Sequence, residues 1–219
     1  MMRVALPGGR LWNHSLHMLD ALEVTDPDAE RCYVFHRPAG DLEVLALKIP
    51  DIPAAIDEGF VDVAVASDEW LAEHGGRYRS LIPLCWYHVR ICLLTPEPHM
   101  PDLDIRGPCP WTVATPYPRL SARLLDPDRF RIRPVAGAVE AYPGRLTDLA
   151  IDCVETGATA ASNGLSIARE LLCSDVRLVA SPRADLANDV VQKVIARMSM
   201  LAWDPECRFG TPHCMARPR

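Results

Sequence analysis

Within Asp148-Leu-Ala-Ile-Asp-Cys-Val-Glu-Thr-Gly-Ala-Thr159 an apolar strand runs into a turn that carries carboxylates and then into a loop of small residues. That order of residue types suits a sugar bearing a phosphate monoester. Thr156, Gly157, Ala158 and Thr159 can aim successive backbone N–H groups into one concavity. Gly157 permits the dihedrals such a turn needs, and a following helix adds its positive end. The hydroxyls of Thr156 and Thr159 supply further donors. Asp152 and Glu155, just before the loop, can accept hydrogen bonds from ribose hydroxyls or hold a magnesium ion. A charge near the end of an apolar strand, such as Asp152, needs a partner. Taken alone, Glu-Thr-Gly-x-Thr describes an ordinary strand-to-helix turn equally well.

The rest of the chain has the pattern of a scaffold for such loops. Short apolar, β-branched runs alternate with amphipathic stretches, which predicts an α/β protein with largely parallel sheets. Strands are expected near Arg3–Leu6, Cys32–Arg37, Val44–Leu47, Val61–Ala66, Leu81–Cys85 and Val89–Thr95. A second series is expected near Thr112–Thr115, Arg131–Val135, Leu149–Val154 and Val176–Ser181. Helices are expected at Leu11–Glu23, Ile52–Glu58, Glu69–His74, Leu120–Leu125, Ser166–Cys173 and Ala184–Ala202. In the last of these, Leu186, Val190, Val191, Val194, Ile195 and Met198 have the spacing of one buried face. Five prolines between Thr95 and Pro110 predict an exposed connection that divides two lobes. The expected domains are residues 1–94 with 182–219, and residues 95–181. The segment Asp204–Arg219 reads as a loose tail.

Composition excludes several functions. A chain of 219 residues, 49% of them hydrophobic, is long enough for one substantial core or two modest lobes. Net charge is −6 and no basic run makes a footprint for nucleic acid. An acidic protein that binds polyanions must do so through a local nest of amides, a few arginines and a divalent metal. No stretch is apolar enough for a signal peptide or a membrane span, so a cytoplasmic location is expected and a secreted receptor disfavoured. The eight cysteines include no Cys-x-x-Cys pair and read as buried free thiols. His14 and His17 have no third metal ligand at matching spacing and read as a solvated helix face.

The segment Asp152-Cys-Val-Glu-Thr-Gly-Ala-Thr-Ala-Ala-Ser-Asn-Gly-Leu165 resembles the phosphoribosyl-pyrophosphate loop of ATP phosphoribosyltransferases, Asp-x-Val-Glu-Thr-Gly-x-Thr-Leu-x-x-Asn-Gly-Leu, with Ala160 in place of leucine. Other landmarks follow the family's order. Val4-Ala-Leu-Pro-Gly-Gly-Arg-Leu11 resembles Ala-Leu-Pro-Lys-Gly-Arg-Leu, and Lys48-Ile-Pro-Asp-Ile-Pro53 resembles Arg-Pro-Ser-Asp-Val-Pro. Gly59-Phe-Val-Asp-Val-Ala-Val-Ala-Ser-Asp68 is similar to Gly-x-x-Asp-Leu-Gly-Ile-x-Gly-Lys-Asp. Thr112-Val-Ala-Thr-Pro-Tyr-Pro118 is similar to Val-Ala-Thr-Lys-Tyr-Pro, and Gly137-Ala-Val-Glu140 to Gly-Ser-Val-Glu. The resemblance spans roughly Arg3 to Ser181.

It implies two α/β lobes like those of a periplasmic binding protein, with the active site in the interdomain cleft and two chain crossings between lobes. It also implies the short form of the enzyme, which assembles as a homo-oligomer, with a regulatory subunit resembling histidyl-tRNA synthetase as a candidate partner. The implied reaction is displacement of pyrophosphate from phosphoribosyl pyrophosphate by N1 of ATP, with Mg2+ and without a covalent nucleophile. By the resemblance, Glu155 and Thr156–Thr159 bind the phosphoribosyl group, and Asp152 and Glu140 serve the ribose or the metal. Arg10 serves the pyrophosphate or ATP phosphates, while Lys48 and Asp68 contribute to substrate binding. Lysines that the family carries at Gly8, Ser67 and Pro116 are absent, and arginine has not replaced them. That loss leaves three roles in view: histidine synthesis, a diverged paralogue in purine-derived nucleoside antibiotic pathways of the pentostatin or coformycin type, or transfer to another nitrogen heterocycle. A non-catalytic binding or regulatory protein of the same fold is the reading from a different class.

Overall fold

A computed structural model describes residues 1–24, 32–86, 88–97 and 110–201. The first elements are β1 (Met2–Pro7), α1 (Trp12–Ala21), β2 (Val34–His36), β3 (Leu42–Leu47), α2 (Ile52–Asp57), β4 (Val63–Ser67), α3 (Asp68–His74), β5 (Arg79–Pro83) and β6 (Val89–Pro96). There follow β7 (Trp111–Thr115), α4 (Pro118–Leu124), β8 (Phe130–Pro134), β9 (Leu149–Val154), α5 (Ala158–Ser162), β10 (Leu165–Ser174), β11 (Val176–Ala180) and α6 (Asp189–Met200).

The elements divide into two units. One holds the chain up to Tyr87 and again from Asp175, and the other holds His88–Ser174, so the chain passes between units twice. These boundaries differ from the expected 94/95 and 181/182. Hydrogen bonding is the reason: β6 pairs with β9 and β10 in the second unit, while β11 pairs with β4 and β5 in the first. The proline-rich stretch is therefore not the boundary, and its residues 98–109 lie outside the described residues, as does the expected tail.

The first unit's sheet has the order β2-β3-β1-β4-β11-β5, with β1 parallel to both β3 and β4. Its central strands are buried on both faces, which is why Val4–Leu6 and Val63–Ala66 read as continuous apolar runs. Val4, Leu6, Val63 and Val65 pack with Met18 and Leu22 near the end of α1 and with Val194 and Met198 of α6. The alternate positions Ala5, Ala64 and Ala66 are small and admit Ile52 and Ile56 of α2 and Leu71 of α3 on the other side. Each fully buried large side chain here contributes roughly 1.5–3 kcal/mol.

α6 starts at Asp189 rather than Ala184. Asn188 caps it, accepting from Val190 N–H at 2.9 Å. The preceding segment is pinned elsewhere, because the Arg79 guanidinium donates to Ser181 O at 2.9 Å and also to Ala184 O. His14 is no solvated-face residue, for its ring stacks on Trp86 at 5.2 Å and 12°.

The second unit's sheet has the order β10-β6-β9-β7-β8, with β7 parallel to β8 and β9, and β6 antiparallel to β9 and β10. Both sheets are thus mixed rather than largely parallel, each a parallel trio flanked by antiparallel strands. The expected helix at Ser166–Cys173 is instead part of β10. Pairing with β6 from Leu165↔Pro96 to Ser174↔Val89 satisfies its backbone, with two register shifts, and overrides the helical propensity of Ala-Arg-Glu-Leu-Leu. Among the described cysteines Cys32, Cys92, Cys153 and Cys173 are free thiols, whereas Cys85 is disulfide-bonded. Distant cysteines can meet only through the tertiary fold, so spacing alone gave no sign of this bond. No helix among the described residues is long and apolar enough to cross a membrane.

Candidate active site

In parallel sheets ligands collect beyond the carboxyl ends of the strands. In the second unit those ends are Thr115 of β7, Pro134 of β8 and Val154 of β9. β9 is fully buried through Leu149, Ala150 and Ile151, then emerges, leaving Glu155, Thr156, Ala158 and Thr159 exposed. Gly157 sits in left-handed geometry at φ 85°, ψ 0° and directly precedes α5. A Cβ there would touch only Val154 Cγ1, at 3.9 Å, so the dihedral and not lack of space calls for glycine. Ala158 N–H donates to Thr156 Oγ1 at 3.3 Å, a local turn that shapes the loop. α5 has only five residues, so loop amides and hydroxyls carry more of any phosphate contact than a helix dipole does.

Asp152 lies on β9, half-buried, and its Oδ1 accepts from Cys153 N–H at 2.7 Å. Strand alternation puts it on the same face as Ala150 and Val154, whose side chains pack with Val139 and Ala160. Val139 belongs to the 3-10 turn Val139–Ala141, so the turn that carries Glu140 covers the same face of the sheet as Asp152 and α5. Sequence reasoning missed Ala138, which enters that turn at φ 49°, a left-handed conformation unusual for alanine. Nothing in its residue type signals this. At the end of β7, Thr115 Oγ1 accepts from Tyr117 N–H at 3.0 Å and organises the turn containing Pro116.

Across β6, Cys92 stands between Asp152 and Glu170. Burial pushes its thiol up to about 11; Arg90 opposes the rise, while Glu170 and Cys153 add to it. It stays a protonated, unreactive thiol beside the candidate carboxylate. Arg90 pairs with Glu170 on the neighbouring strand.

In the first unit Arg10, Lys48 and Asp68 follow the carboxyl ends of β1, β3 and β4, which lie side by side. Arg10 and Lys48 are exposed. Ser15 Oγ donates to Pro7 O at 2.7 Å and anchors α1 beneath the loop that carries Arg10. Asp68 is engaged, because Arg177 of β11 donates to both of its carboxylate oxygens. Arg177 was not foreseen, since only the fold brings β11 beside β4. The candidates therefore fall into two groups: Asp152, Glu140 and Glu155–Thr159 in one unit, and Arg10, Lys48 and Asp68 in the other. Among the described residues no three His, Cys, Asp or Glu side chains form a metal cluster.

Residues 48–200 match the family model HisG: ATP phosphoribosyltransferase. The chain belongs to the ATP phosphoribosyltransferase family. It is 27% identical over 216 residues to an ATP phosphoribosyltransferase of Methanopyrus kandleri, covering 94% of this chain and 75% of that protein. The chain shares its fold with the ATP phosphoribosyl transferase (HisG:HisZ) complex from Thermotoga maritima at TM-score 0.79, with 22% identity over 92% of this chain and 98% of that one. The two-lobed architecture also extends to the alkanesulfonate-binding protein from Xanthomonas axonopodis pv. citri, at TM-score 0.53 and 15% identity, covering 91% of this chain and 72% of that chain. ATP phosphoribosyltransferases use a divalent metal.

Proposed function

We propose that this protein transfers the phosphoribosyl group of phosphoribosyl pyrophosphate to N1 of ATP, the first step of histidine biosynthesis. Membership of the ATP phosphoribosyltransferase family over residues 48–200 carries the reading. The bond between ribose C1 and the pyrophosphate oxygen breaks, a bond from C1 to adenine N1 forms, and the configuration at C1 inverts.

The chain's own groups hold and orient the reactants. The loop Thr156–Thr159 takes the 5-phosphate through its amides and hydroxyls, and Glu155 borders it. Asp152 and Glu140 accept hydrogen bonds from the ribose hydroxyls. Arg10 and Lys48 meet phosphate oxygens, and the Asp68–Arg177 pair keeps the β4 strand end in place for them. A magnesium ion, bound mainly by the diphosphate, supplies charge neutralisation for the leaving group, with Asp152 and Glu140 as its candidate protein ligands.

By analogy with the HisG:HisZ complex from Thermotoga maritima, a homo-oligomer with a histidyl-tRNA-synthetase-like subunit is the expected assembly, in the cytoplasm. A second reading, transfer to another purine-like heterocycle in specialised metabolism, is favoured by the uncharged residues at Gly8, Ser67 and Pro116.

Incubation with ATP, phosphoribosyl pyrophosphate and Mg2+ should release pyrophosphate and give a product of the mass of phosphoribosyl-ATP. Asp152→Asn or Thr159→Ala should abolish both. Turnover only with a different heterocycle selects the second reading, and tight phosphoribosyl pyrophosphate binding without turnover on any acceptor rejects both.

A further inference from the structure

β10 runs beside β6 with two extra residues, Ala168 and Leu171, one on each side of Arg169-Glu170. Leu165 and Ile167 pack with the cluster of Cys92, Leu94 and Val154, so they face the side of the sheet that carries Asp152. Unbroken alternation would put Arg169 and Leu171 on that side and turn Glu170 away. The bulge at Ala168 reverses the phase and the bulge at Leu171 restores it, so the register sets Glu170 opposite Cys92 and Cys173 opposite Arg90. The two bulges thus bring a carboxylate onto the face of Asp152, and Arg90 pairs with it there.

Arg90 stands where the phosphoribosyl loop lacks positive charge. Residues 155–164 hold Glu155 and neither lysine nor arginine. β9, which leads into the loop, is flanked by β7 and β6. β7 has no charged residue, and Arg90 is the one charge on β6. Because β6 runs antiparallel to β9, Arg90 lies opposite Val154, the last residue before Glu155. Ala160 of α5 joins the cluster of Cys92 and Val154, so the helix that the loop opens covers the same face. Glu170 engages Nη1 of Arg90, whose side chain is 30% exposed, so the guanidinium fork has donors to offer a ligand.

We propose that Arg90 is a further substrate-binding residue, the cation for the phosphate taken by the Thr156–Thr159 loop, and that Glu170 is its positioning residue, aimed by the two bulges. The inference rests on the transferase reading above and adds to the loop the charge-assisted contact that a phosphate monoester calls for. A fork already held by a carboxylate is aimed before the ligand arrives, so less ordering accompanies binding.

Phosphoribosyl pyrophosphate with Mg2+, ribose 5-phosphate and pyrophosphate are each titrated calorimetrically into wild type, Arg90→Gln and Arg90→Met, with thermal melting as the check on folding. Both variants should bind phosphoribosyl pyrophosphate and ribose 5-phosphate roughly tenfold more weakly or worse, the effect of one charge-assisted contact, and pyrophosphate as wild type does. Glu170→Gln should weaken phosphoribosyl pyrophosphate binding severalfold beside Arg90 and change nothing further in Arg90→Gln, because it acts through Arg90. A folded Arg90 variant that binds ribose 5-phosphate like wild type overturns the proposal, as does a loss confined to pyrophosphate. Loss of folding in both Arg90 variants shows a purely structural pair and also overturns it. Equal effects of Glu170→Gln in the two backgrounds overturn the positioning role. Phosphoribosyl pyrophosphate binding without transfer to any acceptor rejects the transferase reading alone, and the Arg90 comparison still decides. Wild type that binds neither phosphoribosyl pyrophosphate nor ribose 5-phosphate overturns both.

Discussion

Arg177 grips Asp68 with two guanidinium nitrogens, Nη2 lying 2.9 Å from Oδ2, and so joins β11 to the first turn of α3. The strand at which the chain re-enters the first unit is thereby fixed to the end of β4, where Asp68 N–H also donates to Asp175 O at 2.9 Å. Arg177 Nη1 reaches further, to Ser80 Oγ at 3.1 Å on β5, so one guanidinium ties β11 to β5 and to the start of α3.

The Asp68 and Arg177 side chains are 27% and 28% exposed, so water screens the pair only in part. Asp68→Asn or Arg177→Gln should each lower stability by about 1–2 kcal/mol, and the double variant should lose less than the sum. Urea denaturation of all four proteins measures the coupling. Additive losses would show that the contact contributes nothing.

Gly157 and Ala138 occupy left-handed backbone, one with the residue suited to it and one without. Gly157→Ala should cost about 1–2 kcal/mol and weaken phosphoribosyl pyrophosphate binding, while Ala138→Gly should relieve strain and match or exceed wild-type stability. Chemical denaturation with ligand titration separates the two effects. Unchanged stability in Gly157→Ala would refute the backbone assignment.

Asp57 ties the end of α2 to the segment after α3. The backbone N–H of Arg77, 3.0 Å from Oδ1, is the chief influence holding its carboxyl below the ordinary range; partial burial opposes this, and His74, 3.4 Å away, adds to it. A depressed carboxylate stabilises the fold above its unfolded pKa and loses that contribution as pH falls through the lower folded value. Wild type should therefore lose more thermal stability than Asp57→Asn between about pH 5 and about pH 3. Parallel acid melting curves would count against the assignment.

Ser67 buries a hydroxyl that has no partner, at a strand end packed with apolar residues. Ser67→Ala should leave stability unchanged or raise it by up to about 1 kcal/mol, because the unmet desolvation cost disappears with the oxygen. A loss of more than that in a denaturant titration would mean that the hydroxyl has a partner in solution.

The position along the chain of every strand but β10, the two amphipathic helices that cover one face of the first sheet, and the strand–loop–helix turn at Asp152–Thr159 were legible in sequence. Each is written locally, in alternating apolar residues, in helical spacing such as Val191, Val194 and Met198, or in a contiguous motif such as Asp152–Thr159. Glu140, Asp152 and Thr159, close together in the chain, fall in one unit, on a 3-10 turn, on β9 and on α5.

What sequence could not supply is what depends on partners distant in the chain. Leu165–Ser174 has the local preferences of a helix and becomes a strand because β6 offers a complete antiparallel edge. The domain boundaries followed hydrogen bonding in β6 and β11 rather than proline content. Asp68 reads as a ligand-binding residue until Arg177, more than a hundred positions later, takes its carboxylate. Local sequence determines what each segment can do, because propensity and side-chain periodicity act over a few residues. Only the tertiary structure decides which of those possibilities is used, because a buried backbone group or charge takes whichever partner the assembled sheet brings within reach.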